Sequence, residues 1–138
     1  MKYLHAMIRV ADIKKSLQFY QEFLGLKLLR QKDYETGKFS LYYLATAEGE
    51  PEIELTHNWD SVDYTNGNSF GHLAFLVDNI YDLCQKLEDS GVTILRPPRD
   101  GHMAFVKDPS GISIELLQSG ESLAHHEKWS KMESVGSW

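Results

Sequence analysis

Apolar and polar residues alternate along residues 4–10, and this alternation predicts a half-buried strand. The apolar positions of this strand are Leu4, Ala6, Ile8 and Val10. His5 and Arg9 then lie together on the opposite face. The following apolar positions recur at helical spacing, and they are Ile13, Leu17, Tyr20 and Leu24. Asp12 suits the N-cap of this helix, and Gly25 suits the position just past its end.

Three more strands complete this pattern, and the pattern then occurs a second time. The strands of the first copy are predicted near 26–32, 38–45 and 52–57. The second copy has a strand at 72–77, a helix capped by Asn79, and strands near 92–96, 103–107 and 112–117. Each copy is a βαβββ module. We therefore expect an α+β fold of two tandem βαβββ modules, with curved mixed sheets and the helices outside.

Direct similarity between the two copies supports a duplication. The segment HAMIRVADI at 5–13 aligns with HLAFLVDNI at 72–80, and both copies end on the tripeptide Ile-Glu-Leu. Each copy is too short to bury its own core comfortably, so the two are expected to form one domain. The expected division of this single domain, residues 1–138, is module one at 1–57, a connecting loop at 58–70, module two at 71–118 and a C-terminal tail at 119–138.

Composition narrows the classes of function. Lys and Arg number 14 against 20 Asp and Glu, which gives a formal net charge of −6 and disfavours nucleic-acid binding. The apolar runs are far shorter than the roughly 18 residues that span a bilayer. The N-terminus does not resemble a signal peptide, so we expect a cytoplasmic protein. Because Cys84 is the only cysteine, an internal disulfide and a thiolate metal cluster are both excluded.

The candidate chemistry lies at equivalent places in the two modules. His5 and His72 open the first strands, while Glu54 and Glu115 lie between apolar neighbours in the last strands. A pseudo-twofold axis would bring all four side chains towards one point, and His with carboxylate suits Ni²⁺, Co²⁺, Fe²⁺ or Zn²⁺. Taken singly, each is ordinarily a surface or core residue. Their presence in both copies favours a metal site, since buried carboxylates are costly without a cation.

These segments resemble the glyoxalase I family of the vicinal oxygen chelate superfamily, in its compact bacterial form. The resemblance rests on LHAMIRVADIKKSLQFYQEFLGLKLLR, IELTHNW, GHLAF and AFVKDPSGISIEL. It implies the vicinal oxygen chelate fold, with the metal ligands His5, Glu54, His72 and Glu115. It also implies that Glu115 is the catalytic base, that Glu54 assists, and that Arg9 and Asn58 contact glutathione.

The activity implied by the resemblance is that of lactoylglutathione lyase, a carbon-sulfur lyase of methylglyoxal detoxification. Such an enzyme isomerises the hemithioacetal of methylglyoxal and glutathione to S-lactoylglutathione by proton transfer through a metal-stabilised enediolate. The compact bacterial branch implies Ni²⁺ as the first candidate metal, with Co²⁺ or Zn²⁺ as alternatives. It also implies a homodimer with interfacial active sites, in which His5 and Glu54 of one chain meet His72 and Glu115 of the other.

Two regions depart from the family pattern or lie outside it. The loop 96–103 is shorter than the family's glutathione-holding loop, so another thiol stays open as the co-substrate. Arg99 in this loop is a candidate clamp for a substrate carboxylate, although a solvated loop arginine is an equal alternative. The tail carries Trp129, Met132 and Trp138, which predicts that it packs on a dimer partner or on the rim of the active-site cleft.

Three other functions remain open from the sequence. The first is another vicinal oxygen chelate metalloenzyme, a dioxygenase or an epimerase, although the fourth ligand Glu54 argues against the dioxygenases. The second is a fold-related small-molecule-binding or resistance protein, a class that usually lacks metal ligands. The third is a metal-binding protein that has lost its activity.

Overall fold

A computed structural model describes residues 1–60 and 62–138 of the chain. Ser61, which belongs to the predicted connecting loop 58–70, lies outside the described residues. The chain splits into two compact units, Met1–Thr65 and Asn66–Trp138. We call these units 1 and 2 and describe each by itself.

Unit 1 is a four-stranded sheet with one helical segment. Its elements are β1 (His5–Arg9), α1 (Ile13–Leu17), a π-helical stretch (Gln18–Phe23), β2 (Lys27–Tyr34), β3 (Phe39–Ala45) and β4 (Glu52–Asn58). The strand order is β1-β4-β3-β2, with β1 parallel to β4 and the other neighbours antiparallel. The predicted βαβββ order is therefore confirmed for the first module.

The helical segment of unit 1 begins at the predicted cap. The Asp12 carboxylate accepts a hydrogen bond from the backbone N–H of Lys15 at 3.0 Å. Farther along, the N–H of Leu24 donates to the carbonyl of Phe19 at 3.0 Å, a π-helical bond that spans five residues. Gly25, at φ +80°, ends the segment. The predicted helix is confirmed in position, but its second half is wound more loosely than an α-helix.

Unit 2 has a three-stranded sheet and two helices. Its elements are β5 (His72–Val77), α2 (Ile80–Asp89), β6 (Met103–Lys107), β7 (Ser113–Gln118) and α3 (Glu127–Lys131). The strand order is β5-β7-β6, with β5 parallel to β7 and β6 antiparallel to it. Asn79 caps α2 as predicted, because its side-chain oxygen accepts from the N–H groups of Tyr81 and Asp82 at 3.1 Å.

The strand predicted near 92–96 is wrong, because only a single bridge forms there, between Arg96 and Phe105. Pro97 and Pro98 follow directly. Proline has no N–H to donate to a ladder, so pairing with β6 does not continue beyond Arg96. The second module is therefore βαββ within the described part of the chain, while the α+β fold of two mixed sheets is confirmed.

Strand alternation separates the core from the polar face in both units. In β7, Ile114 and Leu116 are fully buried, and Glu115 between them points the other way. In β4, Ile53 and Leu55 are buried on either side of Glu54. The same pleat that anchors each strand in the core thus presents a glutamate on the opposite face. Among residues 1–60 and 62–138, no helix has the length and apolar content to cross a membrane.

The C-terminal tail is folded against its own unit. Trp129 of α3 is only 1% exposed, and the Lys128 ammonium lies 4.2 Å from the centre of its ring. Lys128 also donates to the side chain of Gln85 in α2 at 2.6 Å. Nearer the start of the tail, the N–H of Leu123 donates to the carbonyl of Gly101 at 3.0 Å. The predicted packing of the tail is confirmed, but α3 packs on α2 of the same chain, a surface that the prediction did not name.

Candidate metal site

In unit 1 the site is a histidine and a glutamate on neighbouring parallel strands. Glu54 of β4 lies opposite Met7 of β1. Because Met7 follows His5 by two residues, the side chains of His5 and Glu54 share one face. His5 Nε2 and Glu54 Oε2 are 2.9 Å apart. The glutamate side chain is 12% exposed and the histidine 36% exposed. A nearly buried carboxylate thus faces an imidazole that solvent still reaches.

Unit 2 builds the same pair in the same register. Glu115 of β7 lies opposite Ala74, two residues beyond His72 in β5. His72 Nε2 and Glu115 Oε2 are 3.1 Å apart, and the glutamate side chain is again nearly buried. Because a metal can take the imidazole nitrogen and the carboxylate oxygen together, each pair supplies two converging donors.

An aromatic ring lies beside each histidine, on the strand next to the glutamate. Tyr43 of β3 is opposite Glu54, and its ring meets the His5 ring edge-on with centroids 6.1 Å apart. Phe105 of β6 is opposite Glu115, and its ring meets His72 edge-on at 5.3 Å. Burial first, and the Glu54 carboxylate second, raise the pKa of Tyr43. In each unit a histidine, a glutamate and an aromatic ring therefore lie together.

Behind Tyr43 lies an ion pair that the sequence did not reveal. Arg30 of β2 places its guanidinium 3.8 Å from the centre of the Tyr43 ring and donates two hydrogen bonds to Glu52, at 2.5 and 2.8 Å. These bonds raise the pKa of Arg30 and lower that of Glu52. A cleft of about 280 Å³, lined in part by His5, Arg30 and Tyr43, opens beside this ion pair.

The corresponding arginine of unit 2 points elsewhere. Arg96 is bridged to Phe105 as Arg30 is paired with Tyr43, but its guanidinium donates to the carbonyl of Met103 and to Asp100, the latter at 2.9 Å. Burial tends to raise the pKa of Asp100. The hydrogen bonds from Arg96 and from the N–H groups of Met103 and His102 outweigh it and hold the pKa at about 2.

The donor chemistry of the two pairs fits a divalent cation. Imidazole nitrogen and carboxylate oxygen suit borderline metals, and the charge of a cation would offset the burial of both carboxylates. Cys84 is fully buried in α2, and its burial raises the thiol pKa to about 12, so it is no ligand. No group of three or more His, Cys, Asp or Glu side chains that could hold a metal occurs within the described part of the chain. Each pair by itself therefore offers two donors, and the predicted set of four ligands stays a prediction.

The predicted substrate contacts lie at separate places in the two units. Arg9 ends β1, on the same face as His5, and is exposed. Asn58 ends β4, and its amide donates to the hydroxyl of Tyr64 at 2.6 Å. In unit 2, Arg99 donates to the carbonyl of Met132 and to the hydroxyl of Ser134, at 3.0 and 3.1 Å. The tail thus holds the side chain of Arg99.

Sequence reasoning missed the rings beside the histidines and the groups behind those rings. A signal for them was present, because Leu-Leu-Arg at 28–30 and Ile-Leu-Arg at 94–96 repeat the approach to each ring. Tyr43 and Phe105 also precede the two Ile-Glu-Leu segments at nearly the same distance. Extending the comparison of the two copies beyond the ligands would have pointed to both rings.

Several known proteins are similar to this chain in sequence. Residues 2–116 match the family model of the Glyoxalase/Bleomycin resistance protein/Dioxygenase superfamily. The chain is 47% identical to the probable lactoylglutathione lyase of Synechocystis sp. over 123 residues, which are 84% of this chain and 94% of that protein. It is 43% identical to the lactoylglutathione lyase of Neisseria meningitidis over 125 residues, 86% of this chain and 91% of that protein.

A solved structure shows the same fold. The trypanothione-dependent glyoxalase I of Leishmania major superposes with a TM-score of 0.82 at 37% identity, over 86% of each chain. These matches confirm the predicted resemblance and the predicted fold class. The match to the family model ends at residue 116, before the tail begins.

Proposed function

The chain belongs to the Glyoxalase/Bleomycin resistance protein/Dioxygenase superfamily, and we propose that it is a lactoylglutathione lyase, that is, a glyoxalase I. In this reaction the hemithioacetal of methylglyoxal and glutathione is isomerised to S-lactoylglutathione. The observation that carries the proposal is the pairing of a histidine with a nearly buried glutamate at the same register of both units. A merely duplicated fold would not need to keep these polar pairs.

The proposal includes one divalent cation held by His5, Glu54, His72 and Glu115, with Ni²⁺ as the first candidate and Co²⁺ or Zn²⁺ as alternatives. The cation would supply Lewis-acid stabilisation for negative charge on two neighbouring substrate oxygens. The four protein donors are two imidazole nitrogens and two carboxylates. These suit borderline divalent ions, whereas a thiolate-preferring ion would find no available cysteine.

The proton transfer is assigned to Glu115. Its carboxylate takes the proton from the carbon that bears sulfur and returns it to the neighbouring carbonyl carbon. The hydroxyl on the sulfur-bearing carbon loses its proton and the former carbonyl oxygen gains one, so that the hemithioacetal becomes a thioester. The position of this carboxylate suits the task, because the side chain is 15% exposed and lies on the polar face of β7, 3.1 Å from His72. Glu54 assists from the opposite face of the substrate, since its setting in unit 1 matches that of Glu115.

Arg9, Asn58 and Arg99 are proposed to contact the thiol part of the substrate. The exposed guanidinium of Arg9 is free to form a bidentate pair with a carboxylate of glutathione. The Leishmania major enzyme is named as trypanothione-dependent, so the thiol differs among related glyoxalases. Glutathione remains the proposed co-substrate here, and a cytoplasmic location is part of the same proposal.

The test of this function measures metal binding and isomerisation in one protein. Metal-stripped protein is reconstituted with Ni²⁺, Co²⁺ or Zn²⁺, and the formation of S-lactoylglutathione thioester is followed by its absorbance. We expect activity only with metal. His125→Ala serves as the control variant and should behave like the wild type. It removes a surface histidine that lies 3.8 Å from Glu127, where both side chains are at least 70% exposed. Metal binding without thioester formation would instead support a metal-binding protein without this activity.

The same proposal includes a homodimer in which the pair of unit 1 meets the pair of unit 2 from the other chain. Mixing His5→Ala protein with Glu115→Gln protein tests this arrangement. Each mixed dimer then contains one site with all four native ligands, so activity should return on mixing. Sites built within one chain would stay defective in every combination, and the mixture would stay inactive.

A further inference from the structure

The end of the chain reaches the metal-ligand pair of unit 2. The indole of Trp138, the last residue, stacks on the ring of Phe105 with centroids 5.8 Å apart and an interplanar angle of 25°. The Phe105 ring also meets the His72 ring edge-on at 5.3 Å. Trp138, Phe105 and His72 therefore form a continuous row of three rings.

Three hydrogen bonds place the tail in this position. Arg99 donates to the carbonyl of Met132 and to the hydroxyl of Ser134. The N–H of Val135 donates to the carbonyl of Leu95 at 2.9 Å, and the N–H of Leu95 donates to the carbonyl of Phe105 at the same distance. The tail thus lies along the 95–96 segment that is bridged to β6. These bonds hold residues 132–135 against the 95–96 segment, and the indole that stacks on Phe105 follows three residues later.

The group that lies against the aromatic ring differs between the two units. In unit 1 the face of Tyr43 is covered by Arg30. In unit 2 the corresponding Arg96 is bound to Asp100 and Met103, so it does not cover Phe105. Trp138 stacks on Phe105 instead. An aromatic ring beside a ligand histidine is thus supported from behind in both units, by an arginine in one and by the chain terminus in the other.

We infer that Trp138 is a positioning residue that fixes the orientation of the His72 ring through Phe105. This inference rests on the proposed function of His72 as a metal ligand. The His72 side chain is 41% exposed, so it keeps rotational freedom unless its neighbours restrict it. Groups that orient a ligand histidine raise metal affinity, because less ordering is left for the metal to impose.

The experiment uses the full chain with Trp138→Ala, the conservative variant Trp138→Phe, and Val135→Ala as a matched control in the same tail. Trp138 is 46% exposed, so its loss should leave the fold intact, and circular dichroism and the melting temperature check this. The first readout is the imidazole resonances of the metal-free protein by NMR. The second readout is the affinity for Co²⁺ and the visible spectrum of the bound Co²⁺, which reports the ligand geometry.

We expect Trp138→Ala to shift or broaden the His72 resonance and to leave His5 of unit 1 unchanged. Affinity for Co²⁺ should fall by about 3- to 10-fold, while Trp138→Phe and Val135→Ala stay close to the wild type. An unchanged His72 resonance in Trp138→Ala, or a changed resonance with unchanged Co²⁺ affinity and spectrum, would overturn the inference. If the wild type binds none of Ni²⁺, Co²⁺ and Zn²⁺, the proposed metal function is overturned, and the His72 resonance alone decides whether the tail orients this ring.

Discussion

Units 1 and 2 hold the same three side-chain types in the same register but support them with different chemistry. In both, a glutamate lies two residues beyond the position opposite the histidine, and an aromatic ring is opposite the glutamate. Behind the ring, unit 1 has the charged pair Arg30–Glu52, whereas unit 2 has the indole of Trp138. The strand register is thus shared at the proposed metal ligands, and the two units differ in the groups that lie behind the aromatic rings.

This difference indicates what constrains the proposed ligands and what constrains the groups behind the aromatic rings. The donors are set by backbone pairing, because a shift of one residue would turn each glutamate into the core. The groups behind the rings differ, since an arginine contacts Tyr43 in unit 1 and a tryptophan contacts Phe105 in unit 2. The tail, which lies beyond the match to the family model, thus contributes to the surroundings of one proposed ligand pair.

The largest expected effect compares the two glutamates. Glu115→Gln should lower kcat by about 10²- to 10⁴-fold, because it removes the proposed general base. Glu54→Gln should cost less, since Glu54 is proposed to assist. Metal content is measured on both variants, so that loss of the cation is separated from loss of the base. Equal losses at equal metal occupancy would show that the two units contribute alike to the proton transfer.

A second comparison concerns a fully buried tryptophan in unit 2 and a partly exposed one in unit 1. Trp129 is 1% exposed in unit 2, so Trp129→Ala should lower the free energy of unfolding by about 3–5 kcal/mol. The control is Trp59→Ala in unit 1, where the ring is 40% exposed and its N–H donates to Ser40 at 2.9 Å; there the loss should be about 1 kcal/mol. Urea denaturation measures both, and similar losses would contradict a structural role of the tail in unit 2.

A third comparison tests the two supports directly. Arg30→Ala should weaken Co²⁺ binding by about two- to fivefold, because it uncovers Tyr43 and frees the His5 ring. Arg30→Lys should not restore binding, since an ammonium cannot reproduce the bidentate pair with Glu52. The NMR signature should be the reverse of that for Trp138→Ala, with His5 changed and His72 unchanged. A change at neither histidine would limit the role of Arg30 to the ion pair.

The sequence predicted the strand alternation and the helix caps. Strand alternation placed Glu54 and Glu115 opposite the core, and the caps at Asp12 and Asn79 were read correctly, because both depend on neighbouring residues alone. The bridge in place of a strand at 92–96 was missed, although Pro97 was a visible warning. The stack of Trp138 on Phe105 had no local signal, since it joins residues far apart in the chain. The shared metal role of the four ligands stays a prediction.

The smallest expected effect concerns Asp100, which binds the guanidinium of Arg96. Asp100 has its pKa held at about 2, below the ordinary value of 3.8, by Arg96 and two backbone N–H groups. A depressed folded-state pKa stabilises the protein above the ordinary value, and this contribution is lost as pH falls from about 4 to about 2. The Asp100 side chain is 46% exposed, so solvent screening reduces the contribution to about 1 kcal/mol.

Asp100→Asn should therefore be less stable than the wild type near neutral pH, with the difference shrinking as pH falls through about 4 towards about 2. Urea denaturation at a series of pH values measures this difference. Glu52→Gln is the counterpart in unit 1, because Arg30 lowers the pKa of Glu52 and the difference should likewise shrink in acid. A difference for Asp100→Asn that stays constant across this range would mean that Asp100 acts through hydrogen-bond geometry and not through its charge. In that case the loop backbone, and not the Arg96–Asp100 ion pair, would be the reason why Arg96 does not cover Phe105.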